Sequence, residues 1–376
     1  MTFCLQSIPS SLQAEASFAL STMPSLARLA EDIRRAGAIR QIQKSDHSIV
    51  TTADIAVDAD FIGRVERAFP SDTVLSEESA DCFDKDPQMA GVVAQFLQIN
   101  HHGLTPSDVV SRVKKGETET LSNRTWVLDP IDKTHAFISG GIYAINLSFF
   151  NKGEIELALI AYPNLKQIPG YPPSNAGVMI LAIKDYGAYY LPIDFNDDLM
   201  SGNFKVDRAR VHTSQNGGIQ PRHSQVSNLS LAQRIKVSAV TDPRQARFLS
   251  PKGLFEWDKM SAYDIALLKG LCQTLPPEEQ HLFMGLLDRY RSLGMGIGDA
   301  LVSPSHWTLP LWDHAAGVFM VQEAGGRVTD MFGDPVDLKA GRMIPQKGIL
   351  ASNGVMHDKL LNAIASAKKK YLEEQG

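Results

Sequence analysis

The chain has 376 residues, of which 44% are hydrophobic and 21% charged, and its formal net charge is −5. This length allows two subdomains or one large domain with a substantial core. The negative charge gives no electrostatic footprint for a nucleic acid polymer. Cys4, Cys82 and Cys272 form neither a zinc spacing nor a disulfide framework, which indicates a reducing compartment. Because we find no secretory signal and no apolar run of about 18 residues, we expect a cytoplasmic protein without a membrane partner.

The first half of the chain predicts two helices and then a sheet. Apolar residues at three- and four-residue steps predict a helix from about Leu12 to Ala38. A second helix opens at Val50-Thr-Thr-Ala-Asp54 and ends at Pro70. Strand patterns follow at Thr73 to Leu75, Trp126 to Leu128, Ala144 to Phe150, Ile155 to Tyr162, Val178 to Lys184 and Gly187 to Pro192. They predict a mostly antiparallel sheet flanked by helices.

In the second half, after a polar stretch from Asp194 to Phe204, strands and helices alternate. Strands are predicted at Val206 to Thr213, Ile235 to Val240, Asp299 to Val302, Arg327 to Thr329 and Ile349 to Ala351. Helices are predicted at Ser261 to Leu275, Glu278 to Leu293, Asp313 to Ala324 and from about Met356. Helices on both faces of strands indicate a layered α/β arrangement. We place the subdomain boundary between residues 204 and 205, giving an α+β half (1–204) and an α/β half (205–376).

The most informative stretch is Trp126-Val-Leu-Asp-Pro-Ile-Asp-Lys-Thr134. An apolar strand meets two carboxylates, Asp129 and Asp132, on either side of a proline. Pro130 lacks a backbone donor, so we expect the strand to stop there. Carboxylates with nearby backbone carbonyls are the ligands that Mg²⁺ prefers. Lys133 places an ammonium beside this predicted cation site.

Other acidic residues also stand at the ends of predicted elements. They are Asp54 and Asp313 at helix starts, and Glu77 and Glu78 after a strand. Each alone has an ordinary explanation, as a helix cap or a solvated turn. Together they can converge on one edge of a sheet, where like charges need compensation by cations. Two or three Mg²⁺ ions would activate a water and bind a phosphate, and the helix start at Lys133-Thr134 would receive phosphate oxygens.

Four motifs resemble the lithium-sensitive, magnesium-dependent phosphatase superfamily, which includes inositol monophosphatase, fructose-1,6-bisphosphatase and 3′(2′),5′-bisphosphate nucleotidase. They are V-T-T-A-D at Asp54, S-E-E-S at Glu77, D-P-I-D-x-T from Asp129 to Thr134, and W-D-H-A-A-G from Trp312 to Gly317. The similarity spans roughly residues 15 to 365. It implies a sugar-phosphatase-like fold, a layered α-β-α-β-α sandwich. The chain length, the hairpin at 185–190 and the pair Arg289-Tyr290 make it most similar to the bisphosphate nucleotidases.

The resemblance also implies roles for individual residues. The metal ligands would be Asp54, Glu77, Asp129, Asp132, Asp313 and the carbonyl of Ile131. Asp54, Glu77 and Thr134 would form the catalytic group, in which Thr134, paired with Asp54, orients the attacking water. Lys133, Thr134, Arg289 and Tyr290 would bind the substrate. The subdomain 1–204 would carry most metal ligands, and 205–376 would complete the metal and substrate site.

The chain departs from the family pattern at Lys133, where the family has glycine. Lys133 could point away from the site, replace part of a metal's charge by pairing with Asp129 or Glu77, or contact the substrate. A second departure is Ser303-Pro304-Ser305, where the bisphosphate nucleotidases tend to carry a basic residue. The segment from Phe255 to Leu287 is also longer than the family pattern needs.

Three functions remain open from the sequence. The first is a Mg²⁺-dependent phosphatase acting on 3′-phosphoadenosine 5′-phosphate or another small phosphorylated metabolite. The second is a repurposed member of the superfamily, acting on a different phosphate or diphosphate. The third is a non-catalytic protein that binds a phosphometabolite. The departures at Lys133 and in the nucleotide-site region motivate the second, and the complete set of acids argues against the third.

Overall fold

Two sheets and the helices around them form the structure, a computed structural model that describes residues 8–45, 47–98, 103–193, 232–250, 262, 265–266, 282–303, 309–345 and 348–375. The helices in this part of the chain are α1 (Gln13–Arg35), α2 (Thr52–Ala68), α3 (Cys82–Lys85), α4 (Met89–Gln98), α5 (Pro106–Gly116), α6 (Thr134–Ser139), α7 (Leu286–Gly294), α8 (Leu311–Glu323) and α9 (His357–Gln375). The N-terminal strands are β1 (Gln41–Gln43), β2 (Ile49–Thr51), β3 (Thr73–Ser76), β4 (Arg124–Asp132), β5 (Ala144–Asn151), β6 (Glu154–Tyr162), β7 (Val178–Ile183) and β8 (Gly187–Pro192). The later strands are β9 (Gln233–Arg234), β10 (Phe248–Ser250), β11 (Leu282–Phe283), β12 (Ala300–Ser303), β13 (Arg327–Thr329) and β14 (Ile349–Ser352).

The larger sheet has the strand order β3-β4-β5-β6-β7-β8-β9. Only its first pair, β3 with β4, is parallel, and every later pair is antiparallel. The predicted mostly antiparallel sheet is therefore confirmed. The parallel pair brings the carboxyl ends of β3 and β4 to the same edge, where the predicted metal acids follow each strand.

The smaller sheet has the order β11-β10-β12-β14-β13, with parallel pairing around β10 and antiparallel pairing around β14. Three apolar cores lie between the layers. Helices α1 and α2 bury one face of the larger sheet, α7 and α8 fill the space between the two sheets, and α9 covers the outer face of the smaller sheet. The order of layers is therefore α-β-α-β-α, as expected.

The predicted stop at Pro130 is wrong, because β4 continues to Asp132. The ladder with β5 pairs Asp129 with Asn146 and then Asp132 with Ala144, with a register shift between them. Two residues of β4 thus face one of β5, so a bulge accommodates the proline, which has no backbone donor to offer.

Two later elements also differ from the prediction. Residues 235–240 are not a strand, because the chain leaves the sheet after β9 and the Val237 amide donates to the Ala324 carbonyl instead. The helix predicted from Glu278 begins at Leu286, since residues 282–283 form β11 against β10. Gly285, in extended conformation, precedes the helix.

Some predictions concern residues that the structure does not describe. The strand Val206 to Thr213 lies outside the described residues, and of the helix Ser261 to Leu275 only residues 262, 265 and 266 are described, all helical. The predicted boundary at 204/205 also lies outside them, and β9, beyond it, pairs with β8 in the larger sheet. No helix among the described residues has the length and hydropathy to cross a membrane.

Candidate active site

The bulge at the end of β4 presents the D-P-I-D motif. Asp129 is buried, and its Oδ2 accepts a hydrogen bond from Asn146 Nδ2 at 3.0 Å. Asp129 Oδ1 and Asp132 Oδ2 are buried without a hydrogen-bond partner among the described residues. The Ile131 carbonyl lies 3.2 Å from Thr134 Oγ1. Buried carboxylate oxygens without donors are what a cation would satisfy.

Asp54 serves two purposes at the start of α2. With Thr51 it forms a capping box, in which its Oδ2 accepts from the Thr51 backbone amide at 2.8 Å and from the Thr51 hydroxyl. This is the ordinary capping role expected of such an aspartate. The other oxygen, Oδ1, lies 3.5 Å from Thr134 Oγ1. The predicted pairing of Asp54 with Thr134 is therefore present as a long hydrogen bond.

The pair Glu77-Glu78 directly follows β3 and is held by a lysine. Lys44 Nζ lies 2.9 Å from Glu77 Oε1 and 2.9 Å from Glu78 Oε2. Glu78 is almost fully buried, at 1% exposure, so this pair is not a solvated turn. The carboxylates raise the pKa of Lys44 despite its burial. Lys44 therefore stays charged and compensates part of the acidic cluster.

Asp313 lies in the first turn of α8, in the W-D-H-A-A-G motif. The next residue, His314, accepts or donates a hydrogen bond at 2.9 Å between its Nδ1 and Tyr290 Oη. Burial and the charge of Arg289 lower the pKa of His314 to about 3, so the ring is neutral. The small residues of the motif let α7 approach: a Cβ at Gly317 would lie 2.3 Å from Tyr290 Cδ2.

The carboxylates lie within electrostatic range of one another. Burial raises the pKa of Asp54 to about 7, and Glu77 adds to the shift. Burial likewise raises the pKa of Asp132 to about 7, opposed by Lys133. The pKa of Asp129 is raised by burial and then by Glu77, Asp132, Asp313 and Asp54. Burial, Glu77 and Asp132 raise the pKa of Asp313. Four chain segments thus bring five acids into one cluster, which is costly without cations.

The donor set suits Mg²⁺, since it consists of carboxylates and one backbone carbonyl, some without a partner. Among the described residues, however, no group of three or more His, Cys, Asp or Glu side chains is arranged to hold a metal ion. Glu77 is paired with Lys44, and this ion pair would have to open for Glu77 to bind an ion.

Lys133 does not pair with Asp129 or Glu77 within the described part of the chain. Its backbone is left-handed, with φ 63° and ψ 55°, and its ammonium forms an ion pair with Asp288 on α7. The side chain passes directly over Gly285, where a Cβ would lie 2.0 Å from Lys133 Cε. Asp288 also contacts Arg291, at 3.4 Å. Lys133 thus connects the D-P-I-D motif to α7.

The other two residues predicted to bind substrate are buried in α7. Arg289 is 1% exposed, and its Nη1 donates to the Val302 carbonyl at 2.9 Å. Burial lowers its pKa to about 10, so it remains a cation. Tyr290 is fully buried against α8. Their contacts are those of core residues, and their role in substrate binding stays a prediction.

Sequence reasoning did not single out three residues that shape this site: Lys44, Asp288 and Arg342. Arg342 Nη2 donates to the Glu77 carbonyl at 3.3 Å, and its guanidinium stacks on Trp312 at 4.6 Å. Lys44 stands only ten residues before Asp54, so the sequence could have indicated a lysine near the predicted metal acids. Asp288 lies 155 residues from Lys133, and Arg342 lies 265 residues from Glu77, so no local pattern could indicate these two contacts.

The profile of the inositol monophosphatase family matches residues 12–369. The 3′(2′),5′-bisphosphate nucleotidase of Schizosaccharomyces pombe is 26% identical over 355 residues, covering 90% of this chain and 90% of that protein. An IMPase of Thermotoga maritima has a similar fold, with a TM-score of 0.57 at 18% identity over 96% of this chain and 99% of that one. A 2′AMP-bound SaIMPase-II gives a TM-score of 0.55 at 17% identity, covering 95% and 99%.

The layered fold and the acidic cluster at the ends of β3 and β4 both lie within the region that this family profile covers. With the profile match over nearly the whole chain, the protein belongs to the inositol monophosphatase family. The coarse assignment is thus a phosphatase of this family, and the substrate is a separate question.

Proposed function

We propose that this protein is a Mg²⁺-dependent phosphomonoesterase that removes the 3′-phosphate of 3′-phosphoadenosine 5′-phosphate or of a related small phosphorylated metabolite. The observation that carries the proposal is the buried acidic cluster, in which Asp129 Oδ1 and Asp132 Oδ2 lack partners among the described residues. Relatives named 3′(2′),5′-bisphosphate nucleotidase, at about 25% identity, support the nucleotide substrate.

Asp54, Glu77, Asp129, Asp132, Asp313 and the Ile131 carbonyl would hold the ions. Bound Mg²⁺ would supply Lewis-acid activation of the phosphoryl group and lower the pKa of a water. Thr134 Oγ1 lies 3.5 Å from Asp54 Oδ1 and 3.2 Å from the Ile131 carbonyl. Donation of its single hydrogen to Asp54 would leave its oxygen lone pairs to accept a hydrogen from that water. Asp54 thereby orients Thr134, and Thr134 positions the nucleophile for in-line attack.

The test is phosphate release from 3′-phosphoadenosine 5′-phosphate by the purified protein with Mg²⁺, beside an Asp132→Asn variant as control. We expect turnover by the wild type and a loss of about 10³-fold or more in the variant, since a metal ligand is removed. No turnover above the variant would contradict the proposal.

A second function, a repurposed site acting on another phosphate or diphosphate, is favoured by Lys133. Its ammonium is held by Asp288 beside the D-P-I-D motif, so it alters the charge next to the predicted phosphate position. If Lys133→Gly strongly raises turnover of the nucleotide, the lysine has diverted the site. Unchanged turnover would weaken this alternative.

The sequence leaves a third function open, phosphometabolite binding without catalysis. Calorimetric titration with Mg²⁺ separates the functions. Tight binding of two ions per chain would argue against the non-catalytic reading.

A further inference from the structure

A cavity of about 210 Å³ lies between the C-terminal half of α1 and the loop that follows β6. Its walls carry four cations, Arg28, Arg34, Arg35 and Lys166, and two carboxylates, Glu31 and Asp32. None of these residues belongs to the predicted catalytic or substrate-binding set. The cavity is smaller than the roughly 300–1,000 Å³ of drug-sized pockets, so a small ligand would fill it.

The charges in this cavity do not balance, since four cations face two carboxylates. Glu31 Oε2 accepts from Arg34 Nη2 at 2.6 Å and lies 3.9 Å from Arg35 Nε. Asp32 lies 3.6 Å from Arg28 Nε. No carboxylate pairs with Lys166 within the described part of the chain. The surplus of two positive charges favours an anion, and guanidinium groups suit phosphate in particular.

One residue of the cavity wall carries a buried acceptor that lacks a hydrogen. Asn164 lines the cavity, and the Oδ1 atom of this residue is buried without a hydrogen-bond partner among the described residues. Burying such an acceptor unpaired is unfavourable, and a ligand hydroxyl would satisfy it. A phosphate group for the cations and a hydroxyl for Asn164 together define a small hydroxylated phosphate ester.

We propose that this cavity binds a small hydroxylated phosphate ester and that the bound ligand restrains α6, the helix that begins at Thr134. Asn164 Nδ2 donates to the Gly141 carbonyl, and the Gly141 amide donates to Ala136 in α6 at 2.7 Å. On the other wall, Glu31 Oε1 accepts from Tyr143 Oη at 3.1 Å. The Tyr143 ring packs edge-on against Phe137 of α6, with 4.9 Å between ring centroids. Both walls of the cavity are therefore linked to the helix that carries a predicted catalytic residue, one through Gly141 and the other through Tyr143.

The test uses calorimetric titration with glycerol 3-phosphate in the presence of a chelator. Without divalent cations the acidic cluster repels an anion, so binding reports on the cationic cavity and requires no turnover. We expect one ligand per chain, bound more tightly than inorganic phosphate because only the ester offers a hydroxyl to Asn164.

The matched variants are Arg35→Gln/Lys166→Gln in the cavity and Lys114→Gln/Lys369→Gln elsewhere. All four residues are exposed, so both variants are expected to fold, and both remove two positive charges. The cavity variant should bind about tenfold more weakly or worse, at roughly 1.4 kcal/mol per tenfold change, and the control should bind like the wild type. No binding by the wild type, or equal weakening in both variants, would overturn the site.

Hydrogen exchange of the amides in residues 134–141 tests the connection to α6. We expect slower exchange when glycerol 3-phosphate binds the wild type, and no change in the cavity variant. Binding with unaltered exchange in this segment would overturn the proposed restraint of α6. Because neither measurement depends on phosphatase activity, failure here leaves the proposed function untouched, and failure of the proposed function leaves this site untouched.

Discussion

Lys133 holds a left-handed backbone conformation that costs a residue with a Cβ about 1–2 kcal/mol. The Lys133 side chain both forms the ion pair with Asp288 and passes over Gly285. The contacts with Asp288 on α7 and with Gly285 before it therefore fix the position of Lys133 at the end of the D-P-I-D motif, despite the strained backbone. Three predictions concern the residues at this end of the motif.

Replacement of Lys133 by glycine or alanine separates the backbone strain from the ion pair. Both variants lose the ammonium, but only alanine keeps the Cβ in the left-handed conformation. We expect Lys133→Gly to unfold at higher urea concentration than Lys133→Ala, by about 1 kcal/mol in unfolding free energy. Equal stability of the two variants would show that this backbone conformation carries no strain.

Gly285→Ala should act on Lys133. The new Cβ would lie 2.0 Å from Lys133 Cε, and the flexible lysine would move and leave Asp288. We expect a loss of about 1 kcal/mol or less, as for a partly exposed ion pair. In a Lys133→Gly background the same substitution should have almost no effect. A double-mutant cycle by urea unfolding measures the coupling, and additive effects would contradict the contact.

Thr134 should be needed for turnover rather than for binding. Its hydroxyl lies between Asp54 and the Ile131 carbonyl, so Thr134→Val removes the group that positions the water at nearly constant volume. We expect kcat to fall about a hundredfold with little change in KM. Thr134→Ser keeps the hydroxyl and is the control. Valine and serine variants of equal activity would exclude this role.

At the level of whole elements, the packing of α7 against α8 positions Asp313 in the acidic cluster. Tyr290 on α7 packs where α8 has no side chain, at Gly317, and bonds to His314. The glycine of W-D-H-A-A-G is therefore a packing requirement in this protein. Asp313, one turn earlier on the same helix face, depends on that packing for its position.

Gly317→Ala should destabilise the protein by about 1–3 kcal/mol. The added Cβ would lie 2.3 Å from a buried aromatic ring, and overpacking outweighs the gain of about 1 kcal/mol in helix propensity. Gly91→Ala is the matched control, because it lies in α4 and a Cβ there meets nothing within 4 Å. We expect that control to gain stability in thermal unfolding. A neutral Gly317→Ala would contradict the close approach.

The same scale shows why some elements were predictable and others were not. Helices α1 and α2 follow hydrophobic periodicity, and α8 and strands β5 to β8 are nearly continuous apolar runs. Both patterns depend on neighbours along the chain. Strand β4 passed through Pro130 because a bulge and the partner strand β5 accommodated it. The start of α7 was missed because residues 282–283 pair with β10, and that tertiary pairing overrides local helix preference.

For the molecule as a whole, the acidic cluster couples folding to pH and to metal. In the folded state, burial raises the pKa of Asp54 and of Asp132 to about 7. Burial also raises the pKa of Asp129 and of Asp313. These groups keep protons that the unfolded chain releases. The contribution of these four acids to the unfolding free energy is therefore complete below about pH 4, and it is lost as the pH rises through about 7.

The metal-free protein should accordingly melt at a lower temperature at about pH 8 than at about pH 5. Added Mg²⁺ should raise the melting temperature more at the higher pH, because ionised acids bind the cation and only the folded state assembles them. Differential scanning calorimetry with and without chelator measures both effects. Asp132→Asn should show a shallower pH dependence. A melting temperature that rises with pH in the chelated protein would contradict these pKa shifts.

Much of this protein is readable from sequence because the governing forces are local. Periodic apolar residues specify its helices and strands, and the motif acids stand at the ends of those elements, so the layered fold and the grouping of Asp54, Glu77, Asp129, Asp132 and Asp313 were predictable. Only the tertiary structure decided where the Lys133 ammonium lies, because its partner is 155 residues away. The same holds for the burial of Arg289 and Tyr290 and for the cavity beside α1. Such contacts depend on how separate elements pack, and packing geometry leaves no periodic signal in the chain.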